Sequence, residues 1–204
     1  MPPLWRWLAA AAGAYLLGSV NGAVIASRTR HGEDIRAFGS GNAGMTNALR
    51  TYGLRNALLT AWIDALKTVL AILLARLCCG TELGTVIGGS FAVLGHAKPL
   101  FLHFRGGKGV ICTAVILLMM DFKLFCATMA VFALAVIRTK TVSIGSVSAA
   151  CAAPICCLLL REGVFRTIFV FLLAVAVLWM HRSNLSRLFR GEEQKTVIAK
   201  RRKS

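Results

Sequence analysis

At 204 residues, 57% hydrophobic and with a mean hydropathy of +0.69, the chain is too apolar for a soluble globular enzyme. Charged residues make up only 16%, yet 24 are Lys or Arg against 8 Asp or Glu, for a formal net charge of +16. That combination excludes a disordered tail and a histone-like nucleic-acid binder, and it points to anionic lipid or an anionic substrate as partner. With about 20 residues needed per crossing, the length allows up to about seven helices. The expected fold is an all-α integral membrane protein with seven transmembrane helices. One polytopic domain covers residues 1–195 and a basic tail follows at 196–204.

The first apolar run, residues 4–27, reads as a retained crossing, because no cleavage pattern precedes Arg28. Gly18 and Gly22 give it a small-xxx-small face for close helix packing, as Gly84 and Gly88 do further on. A polar loop follows. Gly39, Gly41 and Gly44 expose backbone amides and allow close approach of a ligand. Ser40, Asn42, Thr46 and Asn47 add neutral hydrogen-bonding groups, and Arg50 suits bidentate contact with phosphate. Asn42 or Thr46 is also a candidate N-cap for the helix beyond.

The second run, 54–77, is interrupted by Asp64 and Lys67, whose spacing puts them on one face where they can pair. A structural ion pair and a flank of a site are both open readings. The next three runs, 83–95, 110–120 and 124–137, are short and call for tilt or partial re-entry. Between the first two lies a loop with His96, Lys98, Pro99, Arg105, Gly106, Gly107, Lys108 and Gly109. Gly-Gly-Lys-Gly opening an apolar helix is an anion-binding arrangement of free amides, helix N-terminus and ammonium. It is not a Walker A loop, since Leu102 and Gly109 stand where that pattern needs glycine and Ser/Thr, so a nucleotide triphosphatase is disfavoured.

Runs 142–160 and 164–180 complete the seven, and the chain ends with His181, Asn184, Arg187, Gly191 and Glu193 ahead of an anchoring basic cluster at 200–203. An N-terminus outside and a C-terminus in the cytoplasm put 18 of the 24 basic residues on the cytoplasmic side. A hairpin turning at residues 121–123 keeps the count at seven. All three glycine- and cation-rich loops then share one face, which argues for a phosphate-bearing substrate there. The seven cysteines have no CxxC pair or nearby histidine, and read as buried small hydrophobes. Metal ligands do not cluster, and no Ser-His-Asp arrangement or His-x4-Asp pattern is available. The residues suit an activated substrate, with His96 and His181 as candidate proton carriers.

These segments resemble the bacterial acyl-phosphate:glycerol-3-phosphate acyltransferases, the PlsY family. Gly39 to Arg50, preceded by Asp34 and Arg36, is similar to its first motif. Gly95-His96, Pro99 and Phe104 to Val110 are similar to its second, and Asn184, Arg187, Leu188, Gly191 and Glu193 to its third. Ser143 and Ser146 match a further serine pair. Met45, Thr68, Lys98, Ile111, Cys112 and Thr141 depart from the family's usual residues.

The resemblance implies acyl transfer from acyl phosphate to glycerol 3-phosphate, giving lysophosphatidic acid, with no cofactor, metal or acyl-enzyme intermediate. It implies Ser40, Asn42, Arg50, Lys108 and His96 as catalytic residues. Phosphate binding would fall to Gly39, Gly41, Thr46, Asn47, Gly106, Gly107, Gly109, Lys67, Ser143, Asn184, Arg187 and Glu193. It further implies a bacterial inner-membrane location, a cytoplasmic site and a functional link to an enzyme that makes acyl phosphate. A small transporter or flippase for a phosphorylated metabolite or lipid is the alternative from another class.

Overall fold

The structure is a computed structural model that describes residues 3–195. The basic tail expected at 196–204 lies outside the described residues. Among the described residues there are ten α-helices, two short 3-10 turns and no strands. They group into two compact units, residues 3–116 and 117–195.

In the first unit, α1 (Leu4–Ser19), α4 (Leu54–Cys79) and α5 (Thr81–Ala97) pack on one another, while α2 (Gly22–His31) and α3 (Met45–Tyr52) lie against α4. Glycine lets the backbones close. A Cβ on Gly18 would stand 2.5 Å from the Ala92 carbonyl oxygen, and one on Gly84 2.4 Å from the Arg76 Cα. Gly22 and Gly88 meet Thr60 and Ala71 in the same way, so all four sequence-marked glycines serve helix packing.

Helix α4 is built inside out. Its outward face carries Leu58, Trp62, Leu66, Leu70 and Leu73, and its buried face Asn56, Thr60, Asp64, Lys67 and Thr68. That polarity is wrong for water and right for a hydrocarbon surround, where polar groups must turn inward to find partners.

The second unit stacks α7 (Phe122–Thr139), α8 (Val142–Leu159) and α9 (Val164–Met180), and short α10 (Arg182–Phe189) bends 59° away from α9. Its core gathers Leu117, Leu124, Ala153, Cys157 and Val170. A helix break falls at the position where the sequence reading put its hairpin turn: Asp121 caps α7, its carboxylate accepting from the Leu124 N–H at 2.8 Å, directly after α6 (Val110–Met120).

Six of the seven apolar runs each fall on one helix and the first is divided between α1 and α2, but the lengths differ from the sequence reading. Among the described residues five helical stretches are long and apolar enough to span, or six with α9 and α10 taken together. Of the three runs read as short, α5 and α7 are extended by polar ends at Thr81, Glu82, Lys123 and Arg138. Only α6 stays short. Its 11 residues span about 16 Å at 1.5 Å per residue, half a hydrocarbon layer. The cysteine expectation also needs correction. All seven are free, but Cys126 and Cys151 are exposed, on helix faces of α7 and α8.

Candidate active site

The first polar loop leaves α2 at Gly32 and is organised by two side chains. Asp34 caps a 3-10 turn, accepting from the Arg36 N–H at 3.0 Å, and pairs with the Arg36 guanidinium at 2.8 Å. That hydrogen bond from Arg36 holds the Asp34 carboxyl well below the usual carboxylate range. The same guanidinium donates to the Leu102 carbonyl at 2.9 Å and so ties this loop to the second one. Asn47, 1% exposed, is the other organiser. Its Oδ1 accepts from the Ser40 N–H at 3.0 Å, and its Nδ2 donates to the carbonyls of Phe38 and Ile35 at 3.0 and 3.3 Å.

Both amide hydrogens of Asn47 are thus committed to carbonyls, leaving no N–H for a ligand. The expected phosphate contact gives way to a scaffold role, because a buried amide must satisfy the backbone around it. Gly39 is required beside it: φ is 57°, and a Cβ there would stand 2.3 Å from the Asn47 Oδ1. Ser40 and Gly41 are exposed, and Asn42, Thr46 and Arg50 are half-buried around them. Neither Asn42 nor Thr46 is the N-cap. Gly44 takes that position with no side-chain cap, and Thr46 lies inside α3.

The second loop turns at Pro99 and returns to α5. The Gly107 N–H donates to the His96 carbonyl at 3.0 Å. A Cβ on Gly106 would meet that carbonyl at 2.0 Å, and one on Gly107 would meet the His96 Nε2 at 2.2 Å and the Ala43 carbonyl at 2.7 Å. The glycines are therefore required by close approach to α5 and to the first loop. Helix α1 braces the turn, the Tyr15 hydroxyl donating to the Lys98 carbonyl at 2.8 Å and Ser19 Oγ accepting from the Leu100 N–H at 3.3 Å. Lys108, half-buried, and Gly109 then lead into α6.

Beneath both loops lies a break in the first apolar run, at Val20 and Asn21. Asn21 caps α2 by accepting from the Val24 N–H at 3.0 Å, and its Nδ2 reaches the Ala43 carbonyl at 3.1 Å. The Gly22 N–H donates to Asp64 Oδ1 at 3.2 Å, and Lys67 donates to the Val20 carbonyl. Lys67 is 3% exposed, and its ammonium also faces Asp64 Oδ1 at 2.8 Å and His96 Nδ1 at 2.9 Å. Lys67, expected from the sequence to contact phosphate, is enclosed here by Asp64, the Val20 carbonyl and the His96 ring. Sequence reading gave no role to Asn21 or Arg36. An Asn-Gly pair inside an apolar run is the signal that could have exposed the break.

In the second unit, Ser143, Asn184, Arg187 and Glu193 come together as a cluster centred on the carboxylate. Ser143 and Asn184 donate to Glu193 Oε1 at 2.8 and 2.6 Å, and Arg187 pairs with Oε2 at 2.8 Å. Burial pushes the Glu193 carboxyl up, but the three donors outweigh it and hold the group below its usual value. As a carboxylate it offers only acceptors, so it organises the other three and holds no phosphate itself. Its charged form contributes stability above the ordinary Glu value of about 4.3, and that contribution disappears as pH falls through the lower folded value. Thermal unfolding followed from about pH 5 to pH 3 is expected to show a loss in the wild type that is smaller in Glu193→Gln. Equal losses would show that this carboxylate is not charged in the fold.

Residues 8–191 match the family described as glycerol-3-phosphate acyltransferase. The chain is 40% identical over 184 residues to a glycerol-3-phosphate acyltransferase of Thermus thermophilus, covering 89% of this chain and 91% of that protein. It is also 40% identical over 190 residues to glycerol-3-phosphate acyltransferase 2 of Moorella thermoacetica, covering 93% and 97%. A crystal structure of PlsY, an integral membrane glycerol 3-phosphate acyltransferase in its glycerol 3-phosphate form, matches with a TM-score of 0.84 at 30% identity. That match covers 93% of this chain and 94% of the solved one, and a lysophosphatidic acid form matches at 0.81 and 26% with the same coverage.

Proposed function

The chain belongs to the glycerol-3-phosphate acyltransferase family, and from that premise we propose that its donor is acyl phosphate and its active site the cradle of residues 39–50 and 106–109. Its activity is acyl transfer to glycerol 3-phosphate, giving lysophosphatidic acid, and it is an integral, multi-pass membrane enzyme of phospholipid synthesis. The observation that carries the site is the joining of two glycine-rich, cation-bearing loops, through Arg36 to Leu102 and through Gly107 against Ala43.

In this reading Ser40, Asn42 and Thr46 donate to phosphate oxygens, together with amides near Gly41, Gly106 and Gly109. Arg50 grips in bidentate fashion and Lys108 supplies a point charge. The first turns of α3 and α6 add their dipoles. The acceptor hydroxyl oxygen attacks the acyl carbonyl carbon and a C–O ester bond forms. The bond from that carbon to the phosphate oxygen breaks, and inorganic phosphate leaves with the electron pair. The hydroxyl proton ends on a phosphate oxygen, so no protein base and no acyl-enzyme intermediate is needed. Cations fixed in advance lower the barrier by meeting charge as it develops.

Seven crossings, an outside N-terminus, a site on the cytoplasmic face of a bacterial inner membrane and a functional link to an acyl-phosphate-producing enzyme complete the proposal. The weight of basic residues supports the orientation. Purified protein mixed with glycerol 3-phosphate and palmitoyl phosphate is expected to form lysophosphatidic acid, and with palmitoyl-CoA none. Product from the thioester alone would overturn the donor. Absence of product from either, with phosphate-ester uptake in sealed vesicles, would favour a transporter.

A further inference from the structure

We propose that Asp64 and Lys67 are positioning residues that hold His96 as an Nε2–H donor facing the Gly106–Gly107 cradle, so that His96 gives a hydrogen bond to substrate phosphate and takes no proton. The proposal rests on the phosphate reading of that cradle and adds how its floor is set.

The argument begins with donors and acceptors. An ammonium has three N–H donors and no acceptor, and the three groups nearest Lys67 Nζ are Asp64 Oδ1, the Val20 carbonyl and His96 Nδ1. Two of these are oxygens that only accept. The third contact, at 2.9 Å, forms only when Nδ1 presents its lone pair, which puts the ring proton on Nε2. Asp64 Oδ1 lies farther from Nδ1, at 3.5 Å, so it is not the ring's primary partner.

Charge balance agrees. Asp64, Lys67 and His96 are 1, 3 and 4% exposed, and a carboxylate, an ammonium and a neutral imidazole sum to zero. An imidazolium would leave one buried charge uncompensated, a heavy cost in this setting. The opposite edge of the ring faces the cradle, where a Cβ on Gly107 would stand 2.2 Å from Nε2. The Gly107 N–H also holds the His96 carbonyl at 3.0 Å, so ring and loop move as one piece. The same Asp64 and Lys67 satisfy Gly22 and Val20 at the helix break, which anchors the pair from a second direction.

The test reads the tautomer directly. Full-length protein in lipid nanodiscs, labelled with 15N in its histidine rings, gives long-range proton–nitrogen correlations, and His96 is assigned by the signals lost in His96→Gln. A ring protonated on Nε2 alone, with that signal moving on addition of inorganic phosphate or glycerol 3-phosphate, is the expected result. A proton on Nδ1, or on both nitrogens, would overturn the proposal.

Activity supplies an independent arm. A glutamine amide can reach the Nε2 position and an asparagine amide only that of Nδ1. His96→Gln is therefore expected to stay within about 10-fold of wild-type kcat/KM, while His96→Asn loses about 100-fold or more, mainly through KM for glycerol 3-phosphate. Equal losses would remove the donor role. Because Lys67→Met alone strands a buried carboxylate, the double variant Asp64→Asn/Lys67→Met keeps the site neutral. It should fold, show mixed His96 tautomers and raise KM. Wild-type tautomer and KM in that variant would show that the pair positions nothing. The tautomer reading in ligand-free protein does not depend on turnover, so failure of the acyl-transfer assay would sink the proposed function separately.

Discussion

Gly107→Ala is expected to cost at least about 100-fold in kcat/KM, because displacements near 1 Å in a positioned site have effects of that size. The added methyl would stand 2.2 Å from the His96 Nε2 and 2.7 Å from the Ala43 carbonyl, distances that real Cβ contacts do not reach. One neighbour is a ring held at its far edge by Lys67, and the other is backbone held by Asn21, so neither yields cheaply. The loop must move instead, carrying Lys108 with it and separating the two polar segments. The expected destabilisation is modest, about 1–3 kcal/mol as for overpacked cores. Thermal unfolding beside steady-state kinetics separates the two effects. Gly163→Ala is the control, since a Cβ there meets nothing within 4 Å and should change neither. Wild-type kinetics in Gly107→Ala would place the reacting groups elsewhere.

Lys108→Ala is expected to lower kcat by about 10²–10³ with little change in unfolding temperature, the range found when one preorganised donor to developing charge is removed. Lys108 is half-buried beside Gly107, whose N–H is held by the His96 carbonyl, so the truncation deletes the charge while that backbone contact remains. Lys108→Arg should recover part of the rate, since it restores charge with a different shape. Arg50→Ala should fall in the same direction. A rise in KM for glycerol 3-phosphate without a fall in kcat would assign Lys108 to ground-state binding alone. Wild-type behaviour in both alanine variants would overturn the site.

Much of this molecule is legible in its sequence. Gly39, Gly41 and the Gly106–Lys108 run announced backbone approach and anion chemistry, because few other residue choices supply free amides beside a cation. The spacing of Asp64 and Lys67 announced a shared face. What spacing cannot announce is what a side chain touches sixty residues away. Arg36 stands in the sequence only as a residue preceding the first motif, yet it donates to Leu102. Asn47 read as a phosphate donor, yet both its amide hydrogens go to the first loop's own carbonyls. Cys126 and Cys151 read as buried because lipid-facing and core-facing positions are equally apolar in sequence, and the usual contrast between inside and outside is absent.

The sequence by itself determined that the chain is helical, spans membrane and sets cations beside glycine-rich backbone in its polar loops. Those properties follow from composition and local spacing, which act within a few residues. Tertiary structure alone decided that the first apolar run breaks at Val20, that Asp64 and Lys67 satisfy the freed backbone groups, and that His96 stands between that pair and Gly107. The physical reason is hydrogen-bond accounting in a hydrocarbon surround. A carbonyl or ammonium there must find its partner inside the protein, and the partner can come from any helix that packs close enough. The excess of positive charge marks which loops matter; the neutral, buried trio beneath them is set only by packing.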